Sequence, residues 1–304
     1  MKIKIQDKKE KPMTKPIEII QNIQPKDVIP ENEAVLLPYQ QRWVADPSQV
    51  KIGEKSRRVG LTWTEASDDV LIASRQYGSE NVYYVGLKKE MALEYIEACG
   101  FFAKVFNILA GEVNEEIYKD IDGGKEILTY VIRFTTGRKI QALSSRPSNL
   151  RGMQGTVIID EAAFHKHLDE LLKAAMALTM RGSNVRIIST HNGEVNRFNA
   201  YINDSKAGRK SYSVHTITLD DALKDGLFKR ICFVKTKQLT QGMTDPEKLK
   251  EIEEKWAWSI EKEKEWRQKL IDDSPTKEAA DEKYFCIPSH GSGVYMAPSF
   301  IEAR

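Results

Sequence analysis

The sequence predicts an α/β protein, with a mainly parallel sheet flanked by helices and a smaller, mainly helical subdomain after it. Three observations carry this. Short apolar runs such as "NVYYVGL", "TVIIDE" and "NVRIISTHNG" end abruptly in polar or acidic residues, as strands buried on both faces of a parallel sheet do. Between them lie stretches of helical length, and strands alternating with helices argue a parallel sheet. Past residue 215 this alternation gives way to long, highly charged helical sequence.

In chain order, residues 1–33 are rich in Lys, Pro, Gln and Glu, with a short apolar stretch at Ile17, Ile19 and Ile20. They are expected to form an extended arm. A core over 34–215 follows. "SQVKIGEKS" reads as a strand running into a loop, and "TWTEASDDVLIASRQYG" as the helix behind it. "NVYYVGL" is a buried strand and "KKEMALEYIEACGFFAKVFNILAG" a helix. "EILTYVIRFTTGRKIQALSS" predicts a hairpin turning at Thr136-Gly137. "TVIIDE" is the next buried strand, then comes the helix "HLDELLKAAMALTMRG", ended by Gly182, and then the strand "NVRIISTHNG". Residues 216–304 are expected to form a helical lid and linker subdomain.

Composition narrows the functions. With 304 residues, 41% hydrophobic, the chain can bury a substantial core. Net charge is only +2, so contact with nucleic acid would need a local patch. Cys99, Cys232 and Cys286 lie far apart, which suggests neither a zinc site nor a disulfide framework. The sequence has no apolar run of about 18 residues, so no membrane span is expected.

Five segments carry chemistry. "EKSRRVGLTWTE" resembles a phosphate loop, G-x-x-x-x-G-K-[ST], that has lost its lysine. Gly60 and Thr62 occupy the last-glycine and hydroxyl positions, and Leu61 fills the lysine slot. Gly53 would be the front glycine, although too far from Gly60 for the standard motif. Lys55, Arg57 and Arg58 could supply the missing charge, and Thr62 a Mg²⁺-bound hydroxyl. The plain alternative is a basic surface turn. In "TVIIDEAAF", Asp160 could hold Mg²⁺ and Glu161 act as general base; alternatively both are solvated carboxylates at a strand end. "RIISTHNGEVNRF" places Ser189, Thr190, His191 and Asn192 where a γ-phosphate could be sensed, or forms an ordinary polar cap. "SSRPSNLRGMQG" offers Arg146 and Arg151 for charge stabilisation on a transferring phosphoryl group, or two solvated arginines. In "LLPYQQRWV" the amide of Gln40 can read an adenine edge, or belong to a helix start with a polar face.

Taken in order, these segments resemble the ATPase domain of large terminase subunits, the DNA-packaging motors of tailed bacteriophages. "LLPYQQRWVAD", "EKSRRVGLTWTEA", "VIIDEAAF" and "STHNGEVNRF" are most similar to the Mu-like branch, over residues 34–200, with a weaker likeness over 210–290. The resemblance implies an ASCE-type P-loop ATPase with a deviant loop, K-S-x-R-x-G, matched by "KSRRVG". The ATP-binding segment would then be Gln40 with Lys55, Ser56, Arg57, Arg58, Val59, Gly60, Leu61 and Thr62. Lys55 takes the displaced lysine's role and Gln40 contacts adenine. Thr62 and Asp160 serve Mg²⁺, and Glu161 is the catalytic carboxylate. Ser189, Thr190 and Asn192 form the coupling motif, and Arg151, or else Arg146, acts in trans. The resemblance further implies ATP and Mg²⁺ as ligands and double-stranded DNA as the translocated partner. A portal protein, a small terminase subunit, assembly as a homo-oligomeric ring, and the host cytoplasm are implied as well. Large terminases continue into a nuclease domain. The sequence carries no acidic cluster for one, so an ATPase portion of a longer protein, without nuclease activity, is expected.

Two other readings remain open at this point. One is a helicase-like DNA-remodelling ATPase, the other a nucleotide-independent scaffold or DNA-binding module, which Leu61 keeps in play. His165 and His167, at i and i+2, do not share a helix face, so packed or solvated histidines are favoured over a metal site. Trp256, Trp258 and Trp266 are read as docking residues of a charged helix rather than base-stacking platforms. "SKAGRKS" (205–211) is read as a solvated loop.

Overall fold

The computed structural model describes residues 29–30, 33–106, 114–119, 126–143, 150 and 152–290. Most of the predicted N-terminal arm, Arg146 and Arg151 lie outside the described residues.

The expected alternation is present. Helix α1 (Pro38–Ala45) leads into β1 (Val50–Lys55), followed by α2 (Leu61–Ser74), β2 (Val82–Val85) and α3 (Lys89–Val105). Strands β3 (Asn114–Lys119), β4 (Glu126–Arg133) and β5 (Lys139–Leu143) come next, then β6 (Thr156–Asp160), α4 (Leu168–Thr179), β7 (Val185–Ser189), α5 (Arg197–Lys206) and β8 (Ser213–Ile217). One eight-stranded sheet results, in the order β3-β4-β5-β2-β6-β7-β1-β8. The run from β5 to β8 is parallel and β3 and β4 are antiparallel. Strand β7 separates β1 from β6, the inserted-strand arrangement that the ASCE reading requires.

Side-chain alternation divides the core between the two faces. Val82, Tyr84, Ile158 and Ile188 pack with α2 and α3, whereas Tyr83, Val157, Ile159 and Ile187 pack with α4 and α5. The hairpin between β4 and β5 turns through a left-handed Gly137, and Gly182 (φ 88°) follows α4 as predicted.

Three features differ from the sequence reading. Strand β3, "NEEIYK", went unpredicted because it shows no apolar alternation. Strand β8 pairs with β1 from Ser213 to Ile217, so an edge drawn at residue 215 cuts through a strand. Gly53 is not the front of the loop but sits inside β1, where a Cβ would lie 2.7 Å from Leu61 Cδ2 and 3.3 Å from the Trp43 ring. Its lack of a side chain lets α2 close onto the sheet.

Helices α6 (Leu219–Lys224), α7 (Leu227–Thr240), α8 (Pro246–Trp256), α9 (Ile260–Asp272) and α10 (Lys277–Tyr284) follow. Charged α8 and α9 bury no residue fully, yet Trp256 and Trp266 pack against the core, with Trp266 5.1 Å from Phe228. Trp258 stays exposed. No described helix is long and apolar enough to cross a membrane.

Candidate functional site

Strand β1 ends at Lys55, and the chain turns through Ser56–Gly60 before α2 starts at Leu61. The turn needs left-handed backbone at Arg58 (φ 62°) and Gly60 (φ 72°). That conformation is uncommon for a non-glycine residue and concentrates at functional sites. Surrounding groups hold the loop. Ser56 N donates to Ile217 O (2.7 Å), Arg57 N to Lys283 O (2.9 Å), and the Tyr39 hydroxyl to Val59 O (2.5 Å). Gly60 N-caps α2 without a side-chain cap, and the first helical amide bond is Thr64 N to Gly60 O. The amides of Leu61, Thr62 and Trp63 thus find no acceptor within the helix, which makes this end a natural anion seat.

Strand β6 delivers the acidic pair. Asp160 Oδ2 accepts from the Thr62 hydroxyl (2.9 Å) and the Tyr84 hydroxyl (2.8 Å), while Oδ1 accepts from the Glu161 amide (2.9 Å). Glu161 is also left-handed (φ 50°), and its carboxylate meets Lys55 Nζ at 3.2 Å. Burial pushes the Asp160 carboxyl above its ordinary value, with Lys55 pulling down and the Glu161 charge adding to the rise. A cation beside this carboxylate would relieve both upward causes.

The end of β7 forms the third wall. Ser189 Oγ accepts from Ala163 N (3.0 Å) and Asn192 Nδ2 donates to Ala163 O (3.4 Å), tying this strand end to the turn after Glu161. Thr190 and His191 line the cavity. His165 is buried with Nε2 2.9 Å from Asp160 O, whereas His167 is exposed beside Glu170, so the two do not converge. Among the described residues no group of three or more His, Cys, Asp or Glu could hold a metal.

These walls enclose a cavity of about 1030 Å³ lined by Lys55, Arg57, Arg58, Gly60, Leu61, Thr62, Asp160, Glu161 and Thr190, with Lys283 and Glu282 from α10. Trp63, Leu87, Met91 and Phe101 add apolar surface to its lining. Of the remaining sequence candidates, Ser56 and Val59 are buried within the loop. Gln40 is placed under the loop rather than on the cavity wall. Its Oε1 accepts from Leu37 N (2.8 Å), and Nε2 lies 3.5 Å from Val59 O and 3.4 Å from Gly60 O. In this position it props the loop.

Two groups escaped the sequence reading. Glu54, buried beside Lys55, accepts from His191 Nε2 (3.0 Å), the Lys206 ammonium and the Thr216 hydroxyl. Burial raises its pKa, but those hydrogen bonds outweigh it and hold the carboxyl below its ordinary 4.5. Because the folded value is the lower one, the stabilisation is complete above the ordinary value and is lost as pH falls through the folded value. Glu54→Gln is therefore expected to melt below the parent at pH 7, with the difference shrinking on acidification below pH 4.5; matched melting curves across pH check this. The second is Glu282, whose Oε1 accepts from Gly193 N (2.5 Å), Ser289 N (3.1 Å) and Ser289 Oγ (3.1 Å). The contacts of Glu54, and that of Glu282 with Gly193, join residues far apart in sequence, which no local motif signals.

No protein-family model matches the chain. Among characterised proteins, it is 56% identical over 278 residues to "Probable terminase, large subunit gp28" of Escherichia phage Mu, covering 90% of this chain and 47% of that protein. It is 55% identical over 279 residues to "Mu-like prophage FluMu protein gp28" of Haemophilus influenzae, covering 91% and 51%. Over nine-tenths of its length the chain is similar to Mu-like large terminase subunits. It spans about half the length of these terminase relatives. Its fold is that of the large terminase ATPase domain of Thermus phage P74-26, with a TM-score of 0.52, 15% identity, and coverage of 82% of this chain and 92% of that one.

Proposed function

We propose that this chain is the ATP-hydrolysing motor module of a terminase large subunit, powering translocation of double-stranded DNA into a procapsid. One observation carries the reading. Lys55, Thr62, Asp160 and Glu161, from three separate segments, meet through hydrogen bonds of 2.9–3.2 Å on the wall of a single cavity.

The residues fit both ligands. Lys55, Arg58 and the free amides at the start of α2 suit a polyphosphate. Thr62 and Asp160 offer the hard oxygen donors that Mg²⁺ prefers, and their number suits an ion that keeps several of its waters. Mg²⁺, when bound, neutralises charge on the phosphate oxygens. Glu161, partly open to the cavity, is the general base for water. Its carboxylate meets Lys55 Nζ at 3.2 Å, so the base and the loop lysine face the same cavity. Ser189 and Asn192, bonded to the turn after Glu161, transmit changes at the base to β7. An arginine from a neighbouring subunit, Arg151 or Arg146, completes the site in a homo-oligomeric ring. The portal protein and small terminase subunit are the other partners, and the host cytoplasm is where the motor works.

Titration calorimetry of this chain with Mg²⁺-ATP tests the reading. Saturable binding at one site is expected. Failure to bind at low salt with Mg²⁺ present would overturn it in favour of a nucleotide-independent scaffold. Binding precedes hydrolysis as the test because turnover depends on a neighbouring arginine.

A further inference from the structure

Strand register places Tyr84 beside the acidic pair without any local motif to announce it. On β2, Tyr84 lies opposite Ile158 of β6. Alternation puts Asp160 on the same face as Ile158, two residues further on. Such a diagonal neighbour is within reach of an aromatic side chain, and the Tyr84 hydroxyl spans the gap to donate to Asp160 Oδ2 at 2.8 Å.

Two further features fix the ring. Tyr84 is fully buried and stacks on Tyr95 with centroids 4.0 Å apart and planes 11° from parallel. The Tyr95 hydroxyl in turn donates to buried Asp69 Oδ2 at 2.6 Å. At the end of β2, a Cβ on Gly86 would sit 2.9 Å from Tyr84 Cε1 and 3.3 Å from its hydroxyl. The backbone there leaves room for the ring to lean toward the cavity.

We propose that Tyr84 is a positioning residue for Asp160, fixing the rotamer of the carboxylate that holds Mg²⁺; this rests on the metal role given to Asp160 above. A carboxylate oxygen has two acceptor sites. With the Glu161 amide on Oδ1 and Tyr84 on Oδ2, the group cannot swing, and each oxygen retains a lone pair for the ion or its water. Thr62 can leave Oδ2 for the metal while Tyr84 stays. Partners of this kind orient metal ligands, and their loss typically weakens metal affinity by about 10- to 100-fold.

The test is Tyr84→Phe in this chain, with ATP affinity measured by calorimetry across free Mg²⁺ concentrations and once in excess chelator. The Mg²⁺ concentration giving half of the metal-dependent gain in affinity is expected to rise about tenfold or more. Chelator-phase affinity should match the parent, which a merely structural role would not predict, while the lost hydrogen bond to the buried carboxylate lowers the melting temperature. Gly86→Ala, which keeps both tyrosine hydroxyls but presses on the ring, should raise the Mg²⁺ requirement in the same direction. It serves as the deciding variant if Tyr84→Phe fails to fold. An unchanged Mg²⁺ requirement in the deciding variant overturns the role of Tyr84 and leaves the metal reading intact. A parent whose ATP binding ignores Mg²⁺ removes the metal role of Asp160 and this proposal with it.

Discussion

Glu161→Gln is expected to bind Mg²⁺-ATP as the parent does while losing hydrolysis by about 10²- to 10⁴-fold, the usual contribution of a positioned general base. The amide keeps the size of the carboxylate and can still accept from Lys55, but it cannot take a proton from water. Two structural details make the separation clean. The Glu161 backbone is left-handed and its amide is already bonded to Asp160 Oδ1, so the side-chain change leaves the turn intact. The carboxylate is partly solvent-exposed, so neutralising it strands no buried charge beyond Lys55. Single-turnover hydrolysis beside calorimetric binding reads both quantities. Turnover at the parental rate would remove Glu161 from its role. Weakened binding with proportionate turnover would place it among the ligand contacts.

Lys55→Ala carries the second large effect, on binding. A charge-assisted hydrogen bond is worth about 1.5–3 kcal/mol, which converts to about ten- to a hundred-fold in affinity. Lys55 is almost completely buried and meets Glu161 at 3.2 Å, so its ammonium is held at one place on the cavity wall. The loss should appear for ATP in calorimetry while the melting temperature stays near the parent, because the Glu161 left behind can be hydrated. Undiminished affinity would reassign the missing loop charge to Arg57 or Arg58, which stand exposed on the same cavity wall.

Much of this site was legible because its chemistry is local in sequence. "KSRRVGLT" and "VIIDE" each carry their own residue types at fixed spacing, and a parallel sheet brings the carboxyl ends of its strands together. What escaped had no local signature. Gly53 looked like a loop glycine because spacing alone cannot tell a turn from a strand interior packed under Leu61 and Trp43. The contacts of Gln40 with Leu37 N and with the carbonyls of Val59 and Gly60 had no local signature either. The pairing of Glu54 with His191 joins residues 137 positions apart, and the reach of Tyr84 to Asp160 appears only once β2 and β6 are in register. In the fold, the edge strands β3 and β8 both went unpredicted. An edge strand can be polar because its stability comes from its neighbour's backbone.

The contacts of α10 and the residues after it have a mechanical consequence. Lys283 is bonded to the phosphate loop through Arg57, and its neighbour Glu282 to the strand-end loop through Gly193, with Glu194 N donating to Ser289 O just beyond. A short stretch of chain is thus riveted to both sides of the cavity. Any change in the spacing between Arg57 and Gly193 must either break a rivet or displace the backbone at Ser289 and His290. The backbone at Ser289 and His290 therefore reports on the spacing of the two loops that flank the cavity.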